Sequence, residues 1–235
     1  MILAAFLGLA GCSAPIDNDA NDPFEAVNRK VHRFNLALDR NIVRPMALTY
    51  VSIVNPDIQN AFSNVADNLS TPDDVANNIL QGDLESGVKN SLKFIINTTF
   101  GLAGLAKPAE RFGIIGEAGD FGQTLHVWGV AEGPFVVLPG FGPSTGRDAL
   151  GVLGDLSLDP LGPVMSEQAQ LYSYGIHAAD LLSKRGNYSS SLDSILYDSA
   201  DSYEQMKLIY LQARRFKLDG MLEDDYFDPY EETFE

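Results

Sequence analysis

The chain has a single cysteine, Cys12, among 235 residues. No disulfide within the chain can staple the fold, and one leftover cysteine in an exported protein needs another purpose. Basic residues are also scarce. Sixteen Lys and Arg stand against 32 Asp and Glu, giving a net charge of −16. That balance argues against nucleic acid, which rewards basic patches, and against electrostatic adhesion to anionic lipid. No apolar run reaches the roughly 18 residues of a membrane-crossing helix. The three histidines, His32, His126 and His177, lie far apart with no metal-ligand spacing. P-loop and dinucleotide fingerprints are missing. No cofactor or metal is expected, and no carboxylate pair is singled out by its surroundings.

The cysteine sits where an apolar run ends. Residues 1–11, MILAAFLGLAG, hold no charged or polar side chain. As a helix they rise about 16 Å, half of a ~30 Å bilayer core, which suits the apolar stretch of a secretory leader rather than a span. The positively charged segment that normally opens such a leader is not seen before it. Leu9-Ala10-Gly11-Cys12 resembles the bacterial lipobox, in which small residues admit the peptidase and the thiol carries lipid. The alternative is a buried structural cysteine. Acylation explains the odd count, since each buried CH₂ contributes ~0.8 kcal/mol and several chains anchor firmly. Ser13 stands where Asp would signal inner-membrane retention, so the outer membrane is the expected address.

Residues 12–21 read as a lipidated polar tether. Asp22-Pro23-Phe24-Glu25 is a helix start, with Asp22 as cap, Pro23 in the first helical position and Glu25 able to reach back. Phe24, Val27, Val31, Phe34 and Leu38 follow as one apolar stripe. Val43-Arg44-Pro45 is expected to break that helix and begin another. Asn55-Pro56 starts the next, with Ile58, Phe62, Val65 and Leu69. Thr71-Pro72-Asp73-Asp74 opens a third that Gly82 closes. Asp83 caps a fourth through Val88, Leu92, Ile95 and Ile96. Residues 119–146 are punctuated by Gly and Pro among aromatic and β-branched residues, which reads as irregular or short-strand chain. A long helix is expected from near Ser191, with Leu192, Ile195, Leu196, Tyr203, Met206, Ile209, Tyr210, Ala213 and Phe216 on its buried side. Residues 219–235 form a tail with eight acidic residues and no basic ones, half of the net charge.

Residues 92–106, LKFIINTTFGLAGLA, are the most apolar stretch after the leader. Lys93, Asn97, Thr98 and Thr99 make the run too polar to cross a bilayer. Gly101 and Gly104 permit a tight bend. A hairpin dipping into one leaflet would fit, and so would a core helix ending at Gly101; on sequence physics alone the core helix is the simpler reading.

One motif could be catalytic. Gly142-Pro143-Ser144-Thr145-Gly146 matches G-x-S-x-G, and His177 with Asp155 or Asp159 could complete a triad. Against this, Ser144 or Thr145 with Asp148 makes an ordinary helix cap, Pro143 removes a donor beside the nucleophile, and the alternating strand–helix pattern of a hydrolase sheet is missing. The residues therefore favour a non-enzyme, with a lipase or esterase as the alternative.

Several segments together resemble the MlaA (VacJ) family of outer-membrane lipoproteins: NDPFEAVNR at 21–29 with Phe34-Asn35, Val43-Arg44-Pro45, NILQGD at 78–83, FIINT at 94–98 with Gly101, FGQTL at 121–125, WGVAEGPF at 128–135, Leu138-Pro139, Gly142-Pro143-Ser144 and Arg147-Asp148. Many separate segments in the family's order make the resemblance specific, and it covers residues 12 to about 218. It implies a mainly α, ring-like single domain of short and medium helices with a Gly/Pro-rich irregular segment, over residues 22–218, lying in the inner leaflet of the outer membrane. It implies removal of mislocalised phospholipid from the outer leaflet and transfer to a soluble periplasmic lipid carrier, often beside a trimeric porin. On this resemblance Gly101 and Gly104 become candidate gate hinges. Lys93, Asn97, Thr98, Arg147 and Asp148 become candidate polar lining, and Phe94, Ile95, Ile96, Phe100, Leu102 and Leu105 candidate membrane contacts. Ala103 stands where relatives can be more glycine-rich. A porin-associated scaffold without transport is a further alternative.

Overall fold

The computed structural model describes residues 22–219; Cys12, the apolar leader and the tail beyond Asp219 lie outside them. The chain is mainly helical, but several boundaries differ from the sequence expectation. Helix α1 spans Glu25–Leu38 and begins after Asp22-Pro23, not at them. The Asp22 carboxylate does not cap it. That carboxylate accepts from the Tyr203 hydroxyl and, at 2.9 Å, from the Asn28 amide, so it is committed to tertiary contacts instead. The expected break at Val43-Arg44-Pro45 does not occur. The helix widens through a π-helical turn, Asp39–Val43, and runs on as α2, Arg44–Ile53. Pro45 falls in the first turn of α2, where its missing N–H leaves no extra gap.

Thr71-Pro72 opens no new helix either. Helix α3 runs uninterrupted from Pro56 to Gln81 with Pro72 inside it. Pro72 cannot donate to the Asn68 carbonyl. The fully buried Thr71 beside it donates its hydroxyl to the Asp67 carbonyl at 2.9 Å, an additional bond in the same turn. Gly82 ends α3 at φ 80, the left-handed cap the sequence signals. Asp83 caps α4, Leu84–Thr99, by accepting the Ser86 N–H at 2.9 Å, also as expected.

The second half continues with α5, Pro108–Arg111, and α6, Phe121–Val127, which Asp120 and Gln123 start with a capping box. Strands β1, Phe135–Leu138, and β2, Gly142–Thr145, pair antiparallel with Phe135 opposite Thr145 and Leu138 opposite Gly142. Helix α7, Gly146–Leu158, starts at Thr145, whose hydroxyl accepts the Asp148 N–H at 3.2 Å. Helix α8, Glu167–Asn187, has no counterpart in the sequence reading. The long helix expected from Ser191 is three pieces: α9, Ser189–Asp193, a π-helical turn at Ser194–Asp198, and α10, Ser202–Asp219. The cause is local. Ser199 is extended, and the Asp201 carboxylate takes the N–H groups of Tyr203 at 3.1 Å and Glu204 at 3.2 Å, starting α10 afresh.

The elements close on themselves. The π-turn joins α1 to α2; α2 packs on α8, α8 on α3, and α3 on α4, α6 and α7. Helix α6 packs on α7, α7 on the hairpin, and the hairpin on α1 and α10. That circuit makes the single domain ring-like. Two amides of α1, seven residues apart, fasten the hairpin. Asn28 accepts from the Val137 N–H at 2.9 Å and donates to the Phe135 carbonyl at 3.0 Å; Asn35 accepts from Gly140 at 2.8 Å and donates to Leu138 at 3.0 Å. Each side chain stands in for a neighbouring strand. The small apolar core, Phe135, Val137 and Tyr203, lies here, with Val31, Met206, Tyr210 and Leu211 packed against it.

A buried ion network fixes the opposite side. Arg185 of α8 holds Asp39 through two bonds, 2.8 and 2.7 Å, and Asp193 at 2.7 Å, while Arg44 holds the other Asp193 oxygen at 2.7 Å. Burial alone would raise the Asp39 carboxyl, but the hydrogen bonds from Arg185 and Tyr197 outweigh it and keep its pKa below the usual value. Arg185→Ala should cost about 3 kcal/mol, because it leaves the half-buried Asp39 with only the Tyr197 hydroxyl, while Asp193 keeps Arg44. Arg185→Lys should recover only part, since an ammonium cannot fork onto Asp39. Unfolding midpoints in detergent measure both; a midpoint unchanged in the alanine variant would contradict this role.

Candidate functional site

The burial pattern is inverted relative to a water-soluble helical protein. On α4, Asn90 is 0% exposed and Asn97 1%, while Val88 is 59% exposed and Ile95 55%. On α1, Asn28 and His32 face inward and Phe24, Val27 and Phe34 are exposed. The apolar stripes that periodicity finds are real, but much of their surface looks outward. The largest fully buried side chains, Tyr203 apart, are amides and threonines: Gln123, Asn77, Asn78, Asn90, Asn97, Thr71, Thr124 and Thr145. Two pairs among them bond each other, and others bond backbone groups or a carboxylate. Asn90 donates to Asn78 at 2.8 Å and to the Glu117 carbonyl at 2.8 Å, Thr124 donates to Asn77 at 2.9 Å, and Asn77 donates to Asp155 at 3.0 Å. Contiguous apolar surface on this scale marks a membrane or protein interface. Among the described residues no helix is long and apolar enough to cross a membrane.

The end of α4 and the loop after it gather most of the sequence-expected residues. Helix α4 ends at Thr99, two residues before Gly101, and Phe100 and Leu102 stand 79% and 72% exposed, with Ile95 and Leu105 also exposed and Phe94 and Ile96 half-buried. A core helix over this stretch is therefore not what forms. Leu102, Ala103 and Gly104 lie in succession in the left-handed region, at φ 53, 58 and 92. For the first two this stores strain of about 1–2 kcal/mol each. The loop is held from its base: Asn97 accepts the Ala109 N–H at 3.0 Å, Asn64 donates to the Leu105 carbonyl at 3.1 Å, and Lys107 pairs with Asp67 at 2.7 Å. Gly101 and Gly104 are required sterically. A Cβ would run into the Asn97 and Ala106 carbonyl oxygens at the first and into the Asn68 side chain at the second. Thr98 accepts from Asn68 at 3.0 Å. Lys93 is half-buried on α4, and its charge reaches the Asp74 carboxylate.

Arg147 and Asp148 lie apart from that loop, at the start of α7. They pair at 3.4 Å, but Asp148 is served more closely by Tyr210 at 2.7 Å and Arg214 at 2.9 and 3.0 Å. Arg214 also forks onto Asp120 at 2.7 Å twice. Burial would raise Asp148, and the bonds from Arg214 and Tyr210 hold it below the usual carboxylate range. Arg147 lies 3.1 Å from His126 Nδ1; a guanidinium only donates, so that nitrogen accepts and the ring proton sits on Nε2. Burial, with Arg147 beside it, lowers the His126 pKa. Sequence reasoning named Asp155 only as a possible triad member and Tyr210 only as a buried helix position, and it did not single out Asp120 or Arg214 as site residues; the four line a cleft of about 240 Å³ with Asp148 and Ser144. The Ser144 hydroxyl is buried and donates to the Thr145 carbonyl at 3.3 Å; among the described residues no histidine shares a hydrogen bond with it. Thr145, not Ser144, makes the cap.

Two carboxylates beside Pro72 in α3 are strained electrostatically. Burial, with Asp159, Asp155 and Asp74 nearby, pushes Asp73 up to about 6. Burial also pushes Asp74 up to about 6, against the pull of the Gly119 N–H.

Comparison with known proteins gives a consistent set of matches. A family model described as MlaA lipoprotein matches residues 20–217. The Escherichia coli K12 protein named intermembrane phospholipid transport system lipoprotein MlaA is 33% identical over 221 residues, 90% of this chain and 85% of that protein. The Haemophilus influenzae protein of the same name is 29% identical over 230 residues, 94% of this chain and 90% of that one. An uncharacterized Rickettsia felis protein is 34% identical over 194 residues, 82% of this chain and 76% of its own. A solved structure from a study of the "Structural basis for maintenance of bacterial outer membrane lipid asymmetry" matches with TM-score 0.70 at 31% identity, covering 83% of this chain and 98% of that one.

Two outcomes follow from this geometry. Because the folded state raises the Asp74 pKa, ionising it costs stability above about pH 6, and the cost vanishes as pH falls toward the unfolded value near 4. Asp74→Asn should therefore raise the melting temperature at pH 7.5 and leave it unchanged near pH 4; equal gains at both would refute the linkage. In a Trp128→Phe background, a tryptophan introduced by Leu102→Trp should lose emission in vesicles of brominated phospholipid. Equal emission in brominated and ordinary vesicles would rule out leaflet contact by this loop.

Proposed function

The chain belongs to the MlaA lipoprotein family, and from that membership we propose that it withdraws mislocalised phospholipid from the outer leaflet of the outer membrane and passes it to a soluble periplasmic carrier, keeping the two leaflets different. The observation that carries this reading is the inversion: amides and paired charges inside a ring of helices, apolar side chains outside. A phospholipid crossing the bilayer centre must take a charged head through hydrocarbon, which is costly unless the head is paired or wetted. A polar interior walled by helices with apolar outer faces lowers that barrier without bond chemistry. The family is a lipid-transport component, and the buried, histidine-free setting of Ser144 supports that reading over hydrolysis.

In this reading residues 22–218 form the working domain between a tether at 12–21, acylated at Cys12 after removal of residues 1–11, and the acidic tail at 219–235. The domain lies in the periplasmic leaflet. Phe94, Ile95, Ile96, Phe100, Leu102 and Leu105 contact acyl chains there. Asn97 and Thr98, with Lys93, line one part of the polar path, and Arg147 with Asp148 another. Gly101 and Gly104 bound the loop that gates it; their crowding against Asn97 and Asn68 supports a loop with discrete positions rather than a slack one. A trimeric porin beside the ring and a soluble lipid carrier below it are the expected partners.

The deciding experiment measures outer-leaflet phospholipid in intact cells lacking the protein, using an acyltransferase or phospholipase that acts only on that leaflet. Phospholipid should accumulate there, and wild type and Ser144→Ala should clear it equally. Clearance by wild type alone would restore the hydrolase. An unchanged outer leaflet in the deletion would overturn transport and reopen both the scaffold and the enzyme, and clearance by a variant whose interior is blocked through Asn97→Arg would favour a porin-associated scaffold.

A further inference from the structure

The cleft beside the hairpin has a composition that the proposed function leaves unexplained. Its apolar lining is Leu138, Phe141, Pro143 and Val152; its charged lining is Asp120, Asp148, Asp155 and Arg214. At about 240 Å³ it is smaller than the roughly 300–1,000 Å³ of pockets that enclose a drug-sized molecule. It suits a headgroup and its first methylenes, not a whole lipid.

The charges in it do not balance. Arg214 is shared between Asp120 and Asp148, with contacts of 2.7 to 3.0 Å to each, so it has no fork left for a phosphate. Asp148 has Tyr210 and Arg147 as well, and Asp120 has Lys217 at 3.8 Å. Asp155 is different. Its Oδ1 accepts from two neutral donors, the Asn77 amide at 3.0 Å and the Phe121 N–H at 2.9 Å, and its Oδ2 has no hydrogen-bond partner among the described residues. No basic residue pairs with it, and the Asp73 carboxylate lies close enough for the two to repel. A carboxylate oxygen without a donor, on the wall of a partly apolar cleft, favours a cation that brings hydrogen-bond donors. A metal ion is a poor fit, since no group of three or more His, Cys, Asp or Glu is placed to hold one among the described residues.

We propose that this cleft is a headgroup subsite that selects phospholipids carrying a primary ammonium, with Asp155 Oδ2 as the acceptor. The inference rests on the reading of the chain as a phospholipid transporter and adds a headgroup class to it. A primary ammonium offers three donors to Asp155 and its neighbours. A glycerol headgroup brings no positive charge to set against them, and a choline headgroup brings charge without an N–H donor. Asp155→Asn is the informative change, because its amide oxygen still accepts from Asn77 and Phe121 while the charge is lost.

The test uses the purified full-length lipoprotein equilibrated with vesicles of equal phosphatidylethanolamine, phosphatidylglycerol and phosphatidylcholine, with bound lipid measured by mass spectrometry. Wild type should hold phosphatidylethanolamine roughly tenfold over the other two, the discrimination that one charged hydrogen bond supplies. Asp155→Asn should hold lipid in bilayer proportions, and Val152→Trp, which fills the cleft while leaving Asp155 in place, should lose the same preference. Wild-type lipid bound in bilayer proportions, or a preference that survives both variants, overturns the subsite alone. Wild-type protein that binds no phospholipid overturns the transport reading with it. Free phosphoethanolamine that displaces the lipid at micromolar concentration would assign the cleft to a soluble amine and overturn the lipid assignment.

Discussion

The molecule depends on one substitution of chemistry: buried side-chain amides occupy the places where a water-soluble helical protein keeps leucines. Asn90 reaches Asn78 and the Glu117 carbonyl, Asn77 reaches Asp155 and Thr124, and Asn28 and Asn35 pin the hairpin. Such bonds are directional, and a buried amide left unpaired costs about 1–3 kcal/mol. They therefore fix helix positions more tightly than apolar packing, which tolerates sliding. They also leave the apolar faces of α1, α3 and α4 without an interior to enter. A helix set by its polar side has to find a solvent for the other side, and for surfaces such as Val88, Ile95 and Phe100 water is the wrong one.

The same inversion explains why a strained loop persists. Leu102 and Ala103 stay in the left-handed region because Asn64, Asn97 and Lys107 hold the loop ends and Gly104 packs flat on Asn68. Strain of this kind survives only where the surroundings over-determine it. The polar bonds sit at the base of the loop and its apolar side chains at the tip. The base belongs to the polar interior and the tip to whatever covers the outer face, so movement of one is coupled to both environments.

Much of this was legible in the sequence, but not the side each residue faces. The Asp83 cap, the Gly82 stop and the Thr145 start rest on bonds within four residues, and local chemistry settles those. Pro45 and Pro72 misled because a helix break is a local expectation that tertiary contacts can override; Pro45 falls in the first turn of α2 and Pro72 is carried inside α3. Periodicity found the apolar stripes at Val88, Leu92 and Ile95 correctly, but period alone does not say whether a stripe faces a core or lipid. A signal for the inversion was present. Asn64 and Asn68 repeat at one turn of α3, and Asn90 and Asn97 at two turns of α4, although asparagine is a weak helix former. Amides repeated at helical spacing have reason to persist only if their side chains find partners. The meeting of Asp155, Tyr210 and Arg214 was beyond reach, because they come together across α7 and α10 and carry no shared spacing.

A path for a charged head need not be charged itself. Most ionised groups in the ring are already paired: Arg214 with Asp120 and Asp148, Arg185 with Asp39 and Asp193, Arg215 with Glu132. Paired charges present dipoles, which lower the barrier for a zwitterion without trapping it, whereas an isolated buried charge would bind one sign of ligand and release it slowly. This is why an unpaired carboxylate such as Asp155 stands out against the rest of the interior. Among paired charges, a carboxylate oxygen without a donor on the wall of the cleft is where the ring discriminates between heads instead of merely passing them.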